Sequence, residues 1–220
     1  MKNYLIFLFC ILQGCNSAAQ NDSLCDKYKL AVSEFELEYK LYGDTAKLDS
    51  ALYYMELVII HCPHDSIGQL TWYKLGLLSL KHNYDAGIEL IPTLKNPFFY
   101  EIPYYNSVLL KRFKAMKSLY EGDTATYKQY VYSILEEIAP FIAEHQATLD
   151  TLCKNNLSTI FKNSTYPFTQ IQYYYYKSLI ESDEILETEL DVLKQKGYDL
   201  EYIEYIKLGF TDDFLIYEMY

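Results

Sequence analysis

The sequence predicts an all-α fold, and three observations carry that expectation. Gly and Pro are scarce, with 8 and 6 in 220 residues. They fall between long stretches of apolar periodicity instead of within short alternating ones, which is the pattern of helices and not of strands. Several of those stretches open on Asp followed by Ser or Thr, whose side-chain oxygens accept hydrogen bonds from the N–H groups a first helical turn leaves unpaired.

The first helix is expected over about 23 to 42, with Leu30, Phe35, Leu37, Tyr39 and Leu41 among its apolar positions and Gly43 as its C-terminal stop. A second starts between Thr45 and Asp49 and ends before Pro63. Between Ala51 and Ile60 only Glu56 is charged, so this helix should be sandwiched between others. A third covers 66 to 81 and a fourth 84 to 91, where Pro92 ends or kinks it. The stretch 96 to 103, with Pro97 and Pro103 around Phe98, Phe99 and Tyr100, is a loop apolar enough to pack down. Helices over 104 to 121 and 124 to 139 form the next pair, with a kink at Pro140. Helices over 148 to 161 and 168 to 181 follow, then shorter ones over 183 to 196, 199 to 208 and 212 to 220, the last capping the final hairpin.

The chain also echoes itself. Leu41-Tyr42-Gly43-Asp44-Thr45-Ala46 returns as Leu119-Tyr120-Glu121-Gly122-Asp123-Thr124-Ala125, and upstream Leu30, Val32 and Phe35 align with Val108, Leu110 and Phe113. The separation is about twice a helical-pair repeat, so the chain reads as stacked antiparallel helical hairpins of roughly 35 to 45 residues. Ala51, Met55, Val58 and Pro63 stand at the spacing of the second helix of a tetratricopeptide repeat, and Trp72-Tyr73-Lys74-Leu75-Gly76 is similar to the opening of the next. The stretch from Asn83 to Glu89 is similar to that next repeat's second helix. The resemblance covers about Thr45 to Lys95, with irregular gaps, and implies an irregular solenoid that binds protein or peptide on a concave face.

At the N-terminus a lone Lys2 precedes an apolar run from Tyr4 to Leu12, too short to span a bilayer but long enough for a secretory signal. Leu12-Gln13-Gly14-Cys15 resembles a bacterial lipobox. The resemblance implies a signal peptide over 1–14, a diacylated Cys15 opening a flexible tether over 15–22, and a helical domain over 23–220. Multiple acyl chains would hold it firmly to a membrane, and Asn16 directly after the Cys favours the outer membrane of the cell envelope.

Without Lys2 the formal charge moves from −11 to −12, and Arg112 is the only arginine. This excludes nucleic acid as a partner, since neutralising phosphates needs a clustered basic surface. Tyrosine is abundant, at 25 residues including Tyr173 to Tyr176. Four consecutive tyrosines cover about 300° of a helix, so some must be exposed or pack onto a neighbour. They serve either a recognition surface or the core of a compositionally biased chain.

No residue set forms a recognisable catalytic or cofactor site, and no cofactor or metal is expected. The cluster His61-Cys62-Pro63-His64-Asp65 has metal-capable side chains but no second ligand pair at zinc spacing. Its plainer reading is a helix end, with Asp65 capping the next helix. In an oxidising compartment three thiols remain, Cys25, Cys62 and Cys153. If the first two helices turn back at Gly43-Asp44, Cys25 and Cys62 lie equally far from the turn and meet as a disulfide, leaving Cys153 free and buried. Asp-Ser/Thr-aliphatic triplets recur six times and resemble the O-glycosylation acceptor of one Gram-negative lineage, with Thr45, Ser66, Thr124 and Thr151 as candidates. The same triplets also begin helices.

The function expected from these features is a non-enzymatic, membrane-anchored envelope lipoprotein that binds or scaffolds an envelope protein. The alternative is a glycan or small-ligand binder that stacks on Tyr and Trp72. The sequence leaves the oligomeric state open.

Overall fold

A computed structural model describes residues 22–62, 67–94, 102, 104–156, 159 and 166–208. Among these residues there are ten α-helices and one 3-10 turn and no strand, so the fold is all-α. The described residues divide into two compact units, the first ending at Lys81 and the second beginning at His82.

The first unit holds α1 (Asp22–Tyr42), α2 (Thr45–His61) and α3 (Ile67–Leu80). Helices α1 and α2 form an antiparallel hairpin, and α2 also packs on α3. The inward face of α2 is set by its 3–4 spacing: Leu48, Ala51, Met55 and Val58 are buried, and they close on Val32 of α1 and Leu77 of α3. Glu36 is buried on α1, where Lys40 Nζ lies 2.5 Å from its carboxylate and the Tyr73 hydroxyl donates to it. A carboxylate withdrawn from water survives because both oxygens are occupied.

The second unit holds α4 (Tyr84–Leu90) with the 3-10 turn Ile91–Thr93, α5 (Tyr105–Tyr120), α6 (Thr124–Glu144), α7 (Gln146–Leu152), α8 (Tyr166–Ser178), α9 (Asp183–Gln195) and α10 (Leu200–Leu208). Helices α5 and α6 pair as a hairpin, α4 packs on α5, and α8 lies against α6, α9 and α10. Tyr202 is fully buried at the centre of one core cluster, among Leu149, Cys153, Ile171, Leu190 and Ile206. Its hydroxyl lies 3.0 Å from both the Pro167 carbonyl and Gln170 Oε1, so its one proton has an acceptor on either side.

One turn design recurs. Left-handed residues stand at Gly43 (φ +70°), His82 (+57°), Gly122 (+83°) and Gly197 (+82°), at intervals of 39, 40 and 75. An Asx residue follows, directly after the first three and two positions on after Gly197, and its side chain accepts from the next helix: Asp44 from Ala46 N, Asn83 from Ala86 N, Asp123 from Thr126 N and Asp199 from Tyr202 N. The left-handed residue and side-chain cap expected at Gly43 and Gly122 thus recur at His82 and Gly197. The echo fails on the helix faces, since Val108 is buried whereas Leu30, its counterpart, is exposed.

Two helices end elsewhere than expected. Helix α6 runs through Pro140 to Glu144 without stopping at Ala139. Pro140 is exposed and removes one backbone N–H, while Ile138 is fully buried and the Phe141 ring meets Tyr104 and Tyr166 at 5.3 and 5.7 Å. Packing on both sides of the proline outweighs the lost bond. Helix α7 ends at Leu152 instead of continuing to 161, because Asn155 Nδ2 donates to the Thr151 and Leu152 carbonyls and satisfies the helix end from its own side chain. Leu30, Leu37 and Leu41 of α1 turn to solvent. Of the tyrosine run, Tyr174, Tyr175 and Tyr176 are buried and Tyr173 half-buried, because α8 is packed on several sides. The expected loop over 96–103 is described only at Ile102, which is buried, and the expected helix over 212–220 lies outside the described residues.

Candidate functional site

Within the second unit, α6, α8 and α9 leave an open trough of about 340 Å³. One wall is Ala139, Ile142 and Ala143 of α6, the opposite wall Val192 and Leu193 of α9, and the floor Tyr173 and Tyr174 of α8. Ala139 and Ala143 are one helical turn apart, so both methyls line the same face and the wall stands back from the floor. Val192 is 47% exposed on the rim, an apolar side chain left facing the opening.

Polar groups close the two ends. At one end Lys177 is paired with Glu189, and its ammonium lies 5.8 Å from the centre of the Tyr173 ring. At the other stand Gln146, Gln170 and Lys196. Gln146 Nε2 donates to Asp150 Oδ1 (2.8 Å), the Tyr198 hydroxyl donates to the same oxygen (2.6 Å), and Lys196 Nζ lies 3.5 Å from it. Burial works against the charge on Asp150, but the bonds from Tyr198 and Gln146 and the Lys196 charge outweigh it and hold the carboxyl below its ordinary value. Burial, reinforced by Asp150, pushes Tyr198 upward, and burial does the same for Tyr174. Both phenols are therefore neutral at physiological pH, and the trough offers an apolar floor between fixed polar ends.

The residues expected from sequence to matter lie elsewhere. Cys25 and Cys62 are joined as a disulfide, with Cα atoms 5.7 Å apart, at the open end of the α1–α2 hairpin. Cys153 is free and buried, and burial pushes its thiol up to about 12. His61 ends α2 with its ring 6.2 Å from that of Tyr28, and the Cys62 sulfur is committed to Cys25. His64 and Asp65 lie outside the described residues, as do Cys15, the leader and Ser66. Among the described residues no group of three His, Cys, Asp or Glu side chains could hold a metal. Thr45 and Thr124 are exposed at the first position of α2 and α6. Thr151 is exposed but sits in the last turn of α7, not at a helix start, and its hydroxyl donates to the Ala147 carbonyl. Trp72, a candidate stacking platform, is buried at 4% exposure.

The trough itself was not foreseen, since its walls come from helices about 50 residues apart; the only local signal was the Ala139/Ala143 pair on a helix otherwise rich in large apolar residues. No family model matches the chain, and neither a curated protein nor a solved structure matches it. Among the described residues no helix is long and apolar enough to cross a membrane.

Proposed function

We propose that this chain is a non-enzymatic, lipid-anchored binding module of the bacterial cell envelope, attached to the outer membrane through Cys15, which engages a partner protein through the α6–α8–α9 trough. The observation that supports this reading is the shape of the trough. It is partly open to solvent and lined by aliphatic, small and tyrosine side chains beside the polar groups Gln146, Gln170, Lys177, Glu189 and Lys196. Such a site accepts a row of side chains from a helix or extended segment, whereas small-molecule sites enclose most of their ligand. The resemblance of residues 45–95 to tetratricopeptide repeats and the lipobox-like Leu12 to Cys15 point the same way. In this reading Thr45, Ser66, Thr124 and Thr151 are the candidate sites of O-glycosylation, with Thr45 and Thr124 exposed shortly after left-handed glycines.

The test is a photoreactive phenylalanine analogue in place of Val192 in the native envelope, with and without Ala143→Arg to block the trough. A discrete protein adduct lost in the blocked variant, with helix content unchanged by circular dichroism, is the expected result. If no protein adduct forms, or if the adduct survives Ala143→Arg, the reading fails. Saccharide binding quenched by the same substitution would then favour a glycan receptor with Tyr173 as its platform.

A further inference from the structure

The outward face of α1 is unusual for a surface helix. Leu30, Leu37 and Leu41 are 53, 54 and 63% exposed. By helical periodicity they fall within about 40° of one another, roughly 160° from the buried Val32. They form one stripe on the side opposite the core, whereas lone exposed apolar residues would need no explanation. The exposed charged residues of α1 are Asp26, Lys27, Glu34 and Lys40, and Lys40 is already paired with Glu36, so the helix presents no excess of positive charge.

We propose that this stripe rests on a zwitterionic lipid surface, so that α1 lies along the membrane to which Cys15 is attached. This rests on the lipoprotein reading above. The occupant follows from the chain ahead of the helix. Only seven peptide units separate Cys15 from Asp22, the first residue of α1, so a fully stretched tether holds the start of the helix within about 25 Å of its anchor. A leash this short keeps the stripe at a high effective concentration above the bilayer, where a contact too weak for a free protein becomes populated. Without an excess of positive charge the helix has no attraction to anionic lipid, which leaves apolar contact as the driving force.

The experiment uses the chain from Cys15 to Tyr220, coupled through Cys15 to a maleimide phospholipid in phosphatidylcholine vesicles, with tryptophan as the depth probe. Leu37→Trp reports the stripe, and Tyr53→Trp, 61% exposed on α2 and directed away from its core face, is the control. The buried Trp72 supplies the baseline. Brominated phosphatidylcholine should quench Leu37→Trp at least twofold more than Tyr53→Trp, and adding Leu30→Gln and Leu41→Gln should abolish the difference. Equal quenching at both positions overturns the proposal. So does a density-dependent blue shift of Leu37→Trp without lipid quenching, which would assign the stripe to a second copy of the chain. Because the anchor is attached chemically, native acylation is tested separately by the intact mass of the envelope protein. Its absence would overturn the lipoprotein reading without altering the quenching result.

Discussion

Removing the Cys25–Cys62 disulfide should cost the first unit most of its stability. The bridge spans a sequence separation of 37. Closing a loop of that size removes about 13 cal/mol/K of chain entropy from the unfolded state, or about 4 kcal/mol at 25 °C. The perturbation is the double variant Cys25→Ala/Cys62→Ala, in which both sulfurs are lost but the helices keep their propensity. Cys62 is buried beside Val58 and Met55, so the small cavity left by its sulfur adds to the loss and does not offset it. Urea unfolding followed by circular dichroism reads the effect, and with a denaturant slope of about 2 kcal/mol/M the midpoint of the first unit should fall by about 2 M. Cys153 lies in the second unit, and its alkylation during the same titration reports that unit alone. The oxidised chain, with Cys15 acylated, should show one reactive thiol once unfolded. A double variant within about 0.5 kcal/mol of the parent would refute the loop-closure reasoning, and three reactive thiols in the unfolded parent would refute the bridge itself.

Further outcomes follow from the second unit. Gly122→Ala should destabilise it by about 1 kcal/mol in thermal melts, because φ is +83° with open space around the position, so conformational strain and not a clash sets the cost. Tyr202→Phe should lose about 1 to 2 kcal/mol by the same measurement, since Pro167 O and Gln170 Oε1 are left facing a buried ring edge. The folded pKa of Asp150 is depressed, so its stabilisation is complete above the unfolded value of about 4 and drains away as pH falls through the lower folded value. Asp150→Asn should flatten the acid limb of a stability profile below about pH 4; an unchanged limb would dismiss the Tyr198–Gln146–Lys196 cluster as its cause. Cys153, buried and held protonated, should resist iodoacetamide at pH 8 in the folded chain and react as the second unit opens.

Helix existence was legible in the sequence because caps and stops are local. Gly43 with Asp44 and Gly122 with Asp123 name their own turns, and the disulfide followed from counting residues either side of the first. The third turn was harder to see, because His82 stands where the others use glycine and only Asn83 gives the position away. What stayed hidden was whatever depends on neighbours distant in sequence. Pro140 reads as a kink at the end of a helix that in fact carries on to Glu144, with Phe141 against Tyr104 and Tyr166, and the apolar positions of α1 do not say which face inward until Val32, Phe35 and Tyr39 take the core side and leave the leucines to solvent. The trough belongs to the same class: its walls and floor are individually unremarked stretches of three helices, and only their packing makes a concavity.

The disulfide also determines how the first unit carries load. Tension on the chain ahead of Asp22 reaches Cys25 after three residues, crosses the sulfur bridge to Cys62 and continues along the chain, so residues 26–61 form a covalent ring that lies off the line of force. The hairpin cannot be unzipped from its open end by a pull on that side. About 120 to 130 Å of extended chain stays locked inside the ring, and a leash that would otherwise lengthen under stress keeps a fixed maximum length.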